Sequence, residues 1–292
     1  MLLASQAVTD PVLALSWSDL ALASALVLVA MAISAWQRLG LARGFAIGAV
    51  RAVVQLVAVG YVLAYLLSTP KWYLVLLALL VMLLAATVTA TDRQKHGRAG
   101  LFVISGTAML VGAGVALAYV DAVVLRLRPW YDPQYVIPLF GMVIGNAMNG
   151  AALAAERLRS EMELRRSEVE AYLALGASPA RASAAAVRSA LVAAMIPAVN
   201  SLMVVGLVSL PGMMTGQIIA GGSPLTAVRY QIVVVFMLAG AVSVTSVVVA
   251  LWYRSTFFTP AEQLVARVPR SARKASPAGA PTAVAAPPRA RP

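Results

Sequence analysis

KWYLVLLALLVMLLAATVTA, residues 71–90, decides the fold. From Trp72 to Ala90 it holds no charged and no amide side chain. A helix of about 20 residues rises about 30 Å, the thickness of a bilayer's hydrocarbon core. A run this long and this apolar reads as a membrane-crossing helix. Windows of about 19 residues moved outward from it find six more, at 18–36, 48–67, 100–120, 136–154, 189–210 and 232–252. The expected fold class is all-α, a polytopic integral membrane protein with about seven transmembrane helices.

Composition agrees. Of 292 residues, 61% are hydrophobic and 12% charged, and the mean hydropathy is +0.84. A soluble domain is about half apolar and about a quarter charged. The formal net charge is nevertheless +12. Basic and oily together argue against a nucleic-acid partner, which needs a basic face on a water-soluble fold. There is no cysteine, so disulfides, thiolate metal sites and cysteine nucleophiles are excluded. The single histidine, His96, sits in the basic loop TDRQKHGR and reads as solvated. A membrane enzyme is the least expected class, for want of an acid/base or metal constellation.

Basic residues set the expected orientation. With the N-terminus outside, the loops 37–44, 91–98 and 155–188 and the tail from 253 lie inside and carry 18 of the 23 basic residues. The opposite orientation would push all 18 across the membrane. Residues 1–17 are then extracytoplasmic. They lack a basic n-region, and Asp10 and Pro11 interrupt them, so they do not read as a secretory signal. Residues 18–254 form the transmembrane domain and 255–292 a cytoplasmic tail. From about 269 that tail is rich in Pro, Ala and Arg, reads as disordered and is expected to rest on anionic membrane lipid.

The loop 155–188 is the most informative soluble stretch. Opposite charges at i,i+4 spacing, Arg157–Glu161, Arg159–Glu163, Glu161–Arg165 and Arg166–Glu170, continue span five as an exposed helix. Ser167 and Glu170 have capping-box spacing and predict the start of a short helix, VEAYLAL. Gly176 is placed to end it as a left-handed C-cap, and Ser178-Pro179 to open the next helix. The short helix carries Val169, Tyr172, Leu173 and Leu175 outside the membrane, so this face is expected to bury against something. It reads either as a well-capped connector or as a coupling helix that docks into a motor subunit. The chain has no G-x-x-x-x-G-K-[ST] phosphate loop of its own.

Glu170-Ala171-Tyr172-Leu173-Ala174-Leu175-Gly176-Ala177-Ser178 resembles the EAA loop of ABC-transporter permeases. Tyr172 replaces the third Ala of that pattern, and its later Leu-Pro is absent, since Arg188 and Ser189 stand there and the nearest proline is Pro197. More of the chain resembles one family, the FetB-like (YbbM-type) iron-export permeases. The stretches are RAVVQLVAVGYVL (51–63), PLFGMVIGNAMNG (138–150), EVEAYLALGAS (168–178) and VSLPGMMTGQIIAGGSPLTAVRYQIVV (208–234). Plant aluminium-tolerance membrane proteins look similar to the same family. The resemblance implies a bacterial inner-membrane permease subunit, linked to iron or metal homeostasis and paired with a separate ABC ATPase. It implies that ATP and Mg bind that partner, with no cofactor on this chain. The matching residues, Glu170, Ala171, Tyr172, Leu175, Gly176 and Ala177, would couple to the ATPase. ABC motors work in pairs and this chain offers one coupling helix, so a homodimer with two ATPase subunits is expected.

Polar groups inside spans are costly and usually face a cavity or another helix. Arg51 and Gln55 share a face of span two, where Arg51 either snorkels to the interface or lines a path. Span five carries Gly141-x-x-x-Gly145, which allows close helix approach, and then Asn146 and Asn149. Those amides, and Asn200 in span six, are either interhelical glue or pathway groups. Pro197 is expected to kink span six. The Gly/Pro-broken stretch from Pro211 to Pro224 carries Met213, Met214 and Gln217 and reads as an outer loop or a re-entrant element. Thioethers suit Cu(I) better than iron, and the seven spans contain one carboxylate, Asp19 at the edge of the first. No metal-ligand set is assigned; a chelated metal, or transient contact with amides and carbonyls, is easier to carry than a naked ion. The absence of a mid-membrane carboxylate or histidine also counts against the rival reading, a motor-free secondary transporter or channel. A non-transporting regulatory partner of an ATPase is a second rival.

Overall fold

The computed structural model describes residues 16–92 and 98–265. His96, the segment before Ser16 and the tail from 269 lie outside the described residues. Among the described residues ten α-helices follow one another: α1 (Trp17–Trp36), α2 (Ala42–Ser68), α3 (Trp72–Asp92), α4 (Arg98–Tyr119), α5 (Pro133–Leu164), α6 (Arg166–Ala174), α7 (Pro179–Ala182), α8 (Ala184–Val204), α9 (Gly212–Ile219) and α10 (Pro224–Ser255). A π-helical turn, Val120–Leu125, extends α4. No strand occurs among the described residues, only two isolated bridges. Seven of the helices are long and apolar enough to cross a membrane. The chain is a multi-pass, all-α membrane protein.

The spans match the sequence reading in number and differ at their ends. The second begins at Ala42 instead of 48, the fourth runs to Leu125 instead of 120, and the seventh begins at Pro224 instead of 232. The sixth stops at Val204, not 210, because the chain turns at Gly206 (φ +87°). Hydropathy windows locate the oily centre of a helix, but the ends follow backbone hydrogen bonding and caps. The first span opens on a capping box that composition hides. The Ser16 N–H donates to Asp19 Oδ2 at 2.8 Å, and the Asp19 N–H reaches Ser16 Oγ. Asp132 caps α5 by accepting from the Gln134 N–H at 3.0 Å, with Pro133 in the first turn.

Helix α5 is the axis. It packs against α3, α4, α8 and α10, and α4 and α10 also pack closely on each other. Its buried face is built of small residues, Ala147, Ala151 and Ala154, all without exposure. Small residues let helix backbones approach where lipid supplies no hydrophobic drive between helices. The closest approaches involve glycines other than the Gly141/Gly145 pair. A Cβ on Gly112 would stand 2.9 Å from the Ala241 carbonyl oxygen, and one on Gly150 would stand 2.9 Å from Ser246 Oγ. Gly145 faces open space, while Gly141 meets only the tip of Met82. Which glycine becomes a contact depends on which helix arrives opposite it. Helices α1 and α2 pack chiefly on each other, and α2 also meets α5. Pro197 lies inside α8, which continues through it, and the Ser201 hydroxyl donates to the Pro197 carbonyl at 2.9 Å.

Candidate functional site: a braced bracket and outward-facing amides

At 1.5 Å per residue the 32 residues of α5 reach about 48 Å, well beyond a hydrocarbon core of about 30 Å. Its last turns begin the charged run, and all four i,i+4 pairs form, though Arg166–Glu170 falls on the next helix, α6, and does not continue α5 as expected. Arg157–Glu161 and Arg165–Glu161 close at 2.8 Å, Arg159–Glu163 and Arg166–Glu170 at 2.9 Å. A fifth pair, Arg165–Glu168, stands at 3.4 Å. Glu161 differs from the rest. Its side chain is only 6% exposed, and Ser189 of α8 donates to its Oε1 at 3.0 Å. The carboxylate therefore ties the α5 extension to the foot of α8 as well as bracing its own helix. Spacing along α5 shows the two arginines; Ser189, 28 residues later, becomes visible only when the two helices pack.

After a break at Arg165 the chain enters α6. The capping box expected at Ser167 does not form. The helix already starts at Arg166, and the Glu170 carboxylate that would reach back accepts from Arg166 Nε at 2.9 Å instead. The C-cap holds as expected. Gly176 sits at φ +82°, its N–H donating to the Leu173 carbonyl and the Ala177 N–H to the Tyr172 carbonyl, both at 3.0 Å. This is the Schellman arrangement, in which a residue without Cβ takes the left-handed position. Ser178 and Pro179 do open α7, though without a side-chain cap bond, and that helix ends after one turn. Ser183 separates it from α8, its hydroxyl donating to the Pro179 carbonyl at 2.6 Å.

The apolar residues of α6 divide. Val169 is buried and Leu173 packs against the core, so one side of the helix is held by its own chain. Tyr172 and Leu175 point away, Leu175 at 85% exposure. Glu170, Ala171 and Gly176 are also exposed and Ala177 is half-buried. A groove of ≈ 450 Å³ lies between α6 and residues 261–264, the segment after α10. That segment is anchored by buried Phe257, whose carbonyl accepts from the Val265 N–H at 2.9 Å.

The amides and the arginine singled out in the spans face outward. Asn146, Asn149 and Asn200 are exposed, as are Arg51 and Gln55. Asn146 Nδ2 donates to the Met142 carbonyl of its own helix at 2.8 Å. The amides therefore do not glue helices within one chain. Because α2 starts at Ala42, Arg51 lies about 14 Å along the helix, further from its end than the sequence suggests. The Pro211–Pro224 stretch is ordered as α9, which packs on α10, with Met213 against the core and Met214 and Gln217 half-buried. It ends at Gly221 (φ +86°) with the Gly222 N–H on the Gln217 carbonyl at 2.8 Å, the same C-cap as at Gly176. No cluster of three or more His, Cys, Asp or Glu side chains occurs among the described residues.

One ionisable group escaped the sequence reading. With the fourth span extended through its π turn, Asp121 falls inside it, buried, its Oδ1 without a hydrogen-bond partner among the described residues. Gln231 Oε1 and Ser246 Oγ on α10 are likewise buried and unpartnered. A span boundary drawn one residue before Asp121 hid it; hydropathy alone carries no signal for a π turn.

Residues 17–258 match the profile of the family described as "Uncharacterised protein family (UPF0014)". Among related proteins, the "UPF0014 membrane protein slr1647" of Synechocystis is 39% identical over 86% of this chain and 97% of its own length. The Escherichia coli protein named "Probable iron export permease protein FetB" is 39% identical over 85% of this chain and 94% of its own. The Arabidopsis thaliana "Protein ALUMINUM SENSITIVE 3" is 37% identical over 85% of this chain and 89% of its own. No solved structure matches the chain.

Proposed function

This chain belongs to the UPF0014 family, and on that premise we propose that it is the permease subunit of an ABC-type exporter. ATP is hydrolysed on a separate ATPase subunit, and the cargo is iron or another metal species. The observation that carries the reading is the α6 bracket: a short helix beyond the membrane, following an α5 extension with which it shares five ion pairs, buried on one side and leaving Tyr172 and Leu175 bare on the other. An exposed apolar face on a braced lever suits docking into a motor. Metal export rests on the printed name of the E. coli relative. The chain sits in the bacterial inner membrane with its N-terminus outside and the bracket inside, a reading supported by its basic loops.

Two copies complete the transporter, each with its own ATPase. Amides are expensive against lipid, so the exposed side chains of Asn146, Asn149 and Asn200 are covered by the second copy and line the path. Gln55 and Arg51 join it from α2, and Met213, Met214 and Gln217 stand at the outer mouth. Such a lining passes a chelated or transiently bound metal.

The test is reconstitution with the cognate ATPase. Leu175→Glu leaves the fold intact, because Leu175 touches little of its own chain, and it abolishes ATPase co-purification and metal-stimulated hydrolysis. Unchanged stimulation in this variant refutes the coupling role. The motor-free rival gains one observation, the buried Asp121. Ion-driven flux without ATP, lost in Asp121→Asn, would establish it instead.

A further inference from the structure

At the end of the bundle that carries the charged bracket, a groove of ≈ 540 Å³ runs along α8, with Arg254 the one lining residue from α10. Arg188 from the first turns of α8 and Arg254 from the last turn of α10 line its base. Neither guanidinium makes an ion pair among the described residues. Above them the wall is apolar, formed by Leu191, Met195, Ile196 and Val199 on α8. From Arg188 to Val199 the helix rises about 17 Å, close to the roughly 15 Å of a single leaflet.

We propose that this groove binds an anionic phospholipid, its phosphate held by Arg188 and Arg254 and one acyl chain lying along α8. Each half of the site asks for the other half of that molecule. Two cations at the membrane surface select an anionic headgroup, and a leaflet-deep apolar wall directly above them selects an attached chain. A soluble anion would leave the wall uncovered, and a zwitterionic lipid brings, beside the same phosphate, a cationic amine that two guanidiniums repel. The site is distinct from the α6 bracket and its readout does not depend on transport.

Native mass spectrometry of the full chain, released from detergent with phosphatidylglycerol or phosphatidylcholine of identical acyl chains, tests this. Phosphatidylglycerol should be retained on the order of tenfold better, the size expected of two arginines near a membrane surface. Arg188→Gln with Arg254→Gln should erase the preference, Arg188→Lys with Arg254→Lys should keep most of it, and Met195→Trp should lower retention of both lipids by filling the groove. If the double Gln variant fails to elute as a single species, Arg254→Gln alone and Met195→Trp decide. Equal retention of the two lipids by the unaltered chain overturns the proposal, as does an unchanged preference in the Gln variant. So does inorganic phosphate binding as tightly as the lipid, or a Gln variant that shifts the monomer–dimer distribution and leaves lipid retention unaltered, which would make a second copy the occupant.

Discussion

Glu161→Gln should destabilise the chain by about 2 kcal/mol and loosen the bracket from α8. The carboxylate is 6% exposed and receives Arg157 and Arg165 at 2.8 Å and Ser189 at 3.0 Å. Removing one partner of a fully buried ion pair costs about 3–5 kcal/mol. Here the arginines are 49% and 40% exposed, so they rehydrate when released, and exposed pairs return less than about 1 kcal/mol each. The remainder is the hydrogen bond to Ser189, a charged bond of about 1.5–3 kcal/mol when sheltered. Gln keeps the volume and one acceptor, so the loss reports charge and not a cavity. The assay is reversible SDS unfolding in mixed micelles, followed through a double-mutant cycle with Ser189→Ala. The cycle should give a coupling energy of about 1 kcal/mol. A Glu161→Gln chain within about 0.5 kcal/mol of the unaltered one, or strict additivity with Ser189→Ala, would refute the claim that this carboxylate joins α5 to α8.

Gly112→Val should cost about 3 kcal/mol or more in the same assay, because a Cβ there stands 2.9 Å from the Ala241 carbonyl and backbone cannot step aside. Gly145→Ala, which meets nothing within 4 Å, should be silent by comparison. Gly176→Ala should cost about 1 kcal/mol through its positive φ alone and act locally, as faster amide exchange in α6 with α8 unaffected. Asn149→Leu with Asn200→Leu should leave folding within about 0.5 kcal/mol, since both side chains are exposed, while lowering ATP-driven metal flux in proteoliposomes; unchanged flux would remove the amides from the path.

Much of the fold was legible in the chain. A bilayer asks each span for one thing, some 30 Å of apolar helix, and that requirement is local, so seven spans follow from composition. The four i,i+4 pairs and the C-cap at Gly176 are local too, each set by residues within one or two turns. The cap at Ser167 was misread because two local signals compete for Glu170, and the pairing with Arg166 wins at 2.9 Å. Span ends shifted for a similar reason: hydrogen-bonded turns outlast the oily core, which is how Asp121 came inside α4's extension. The comparisons agree with the family resemblance found in the quoted stretches.

What the sequence determined by itself is everything that one helix can settle alone: that the chain crosses the membrane, how often, and where a charged lever leaves it. What only tertiary structure decided is which side of each helix meets another. Gly112 and Gly150 are contacts and Gly145 is not; Glu161 is sheltered by α8 and Glu163 is not; Val169 is covered and Leu175 is bare. The physical reason is that lipid tails are as apolar as the spans they surround. Hydrophobic periodicity, which marks the inward face of a soluble helix, has no gradient to record here. Inward and outward faces of a span then look alike in sequence until backbones meet, and only small residues and satisfied polar groups tell them apart.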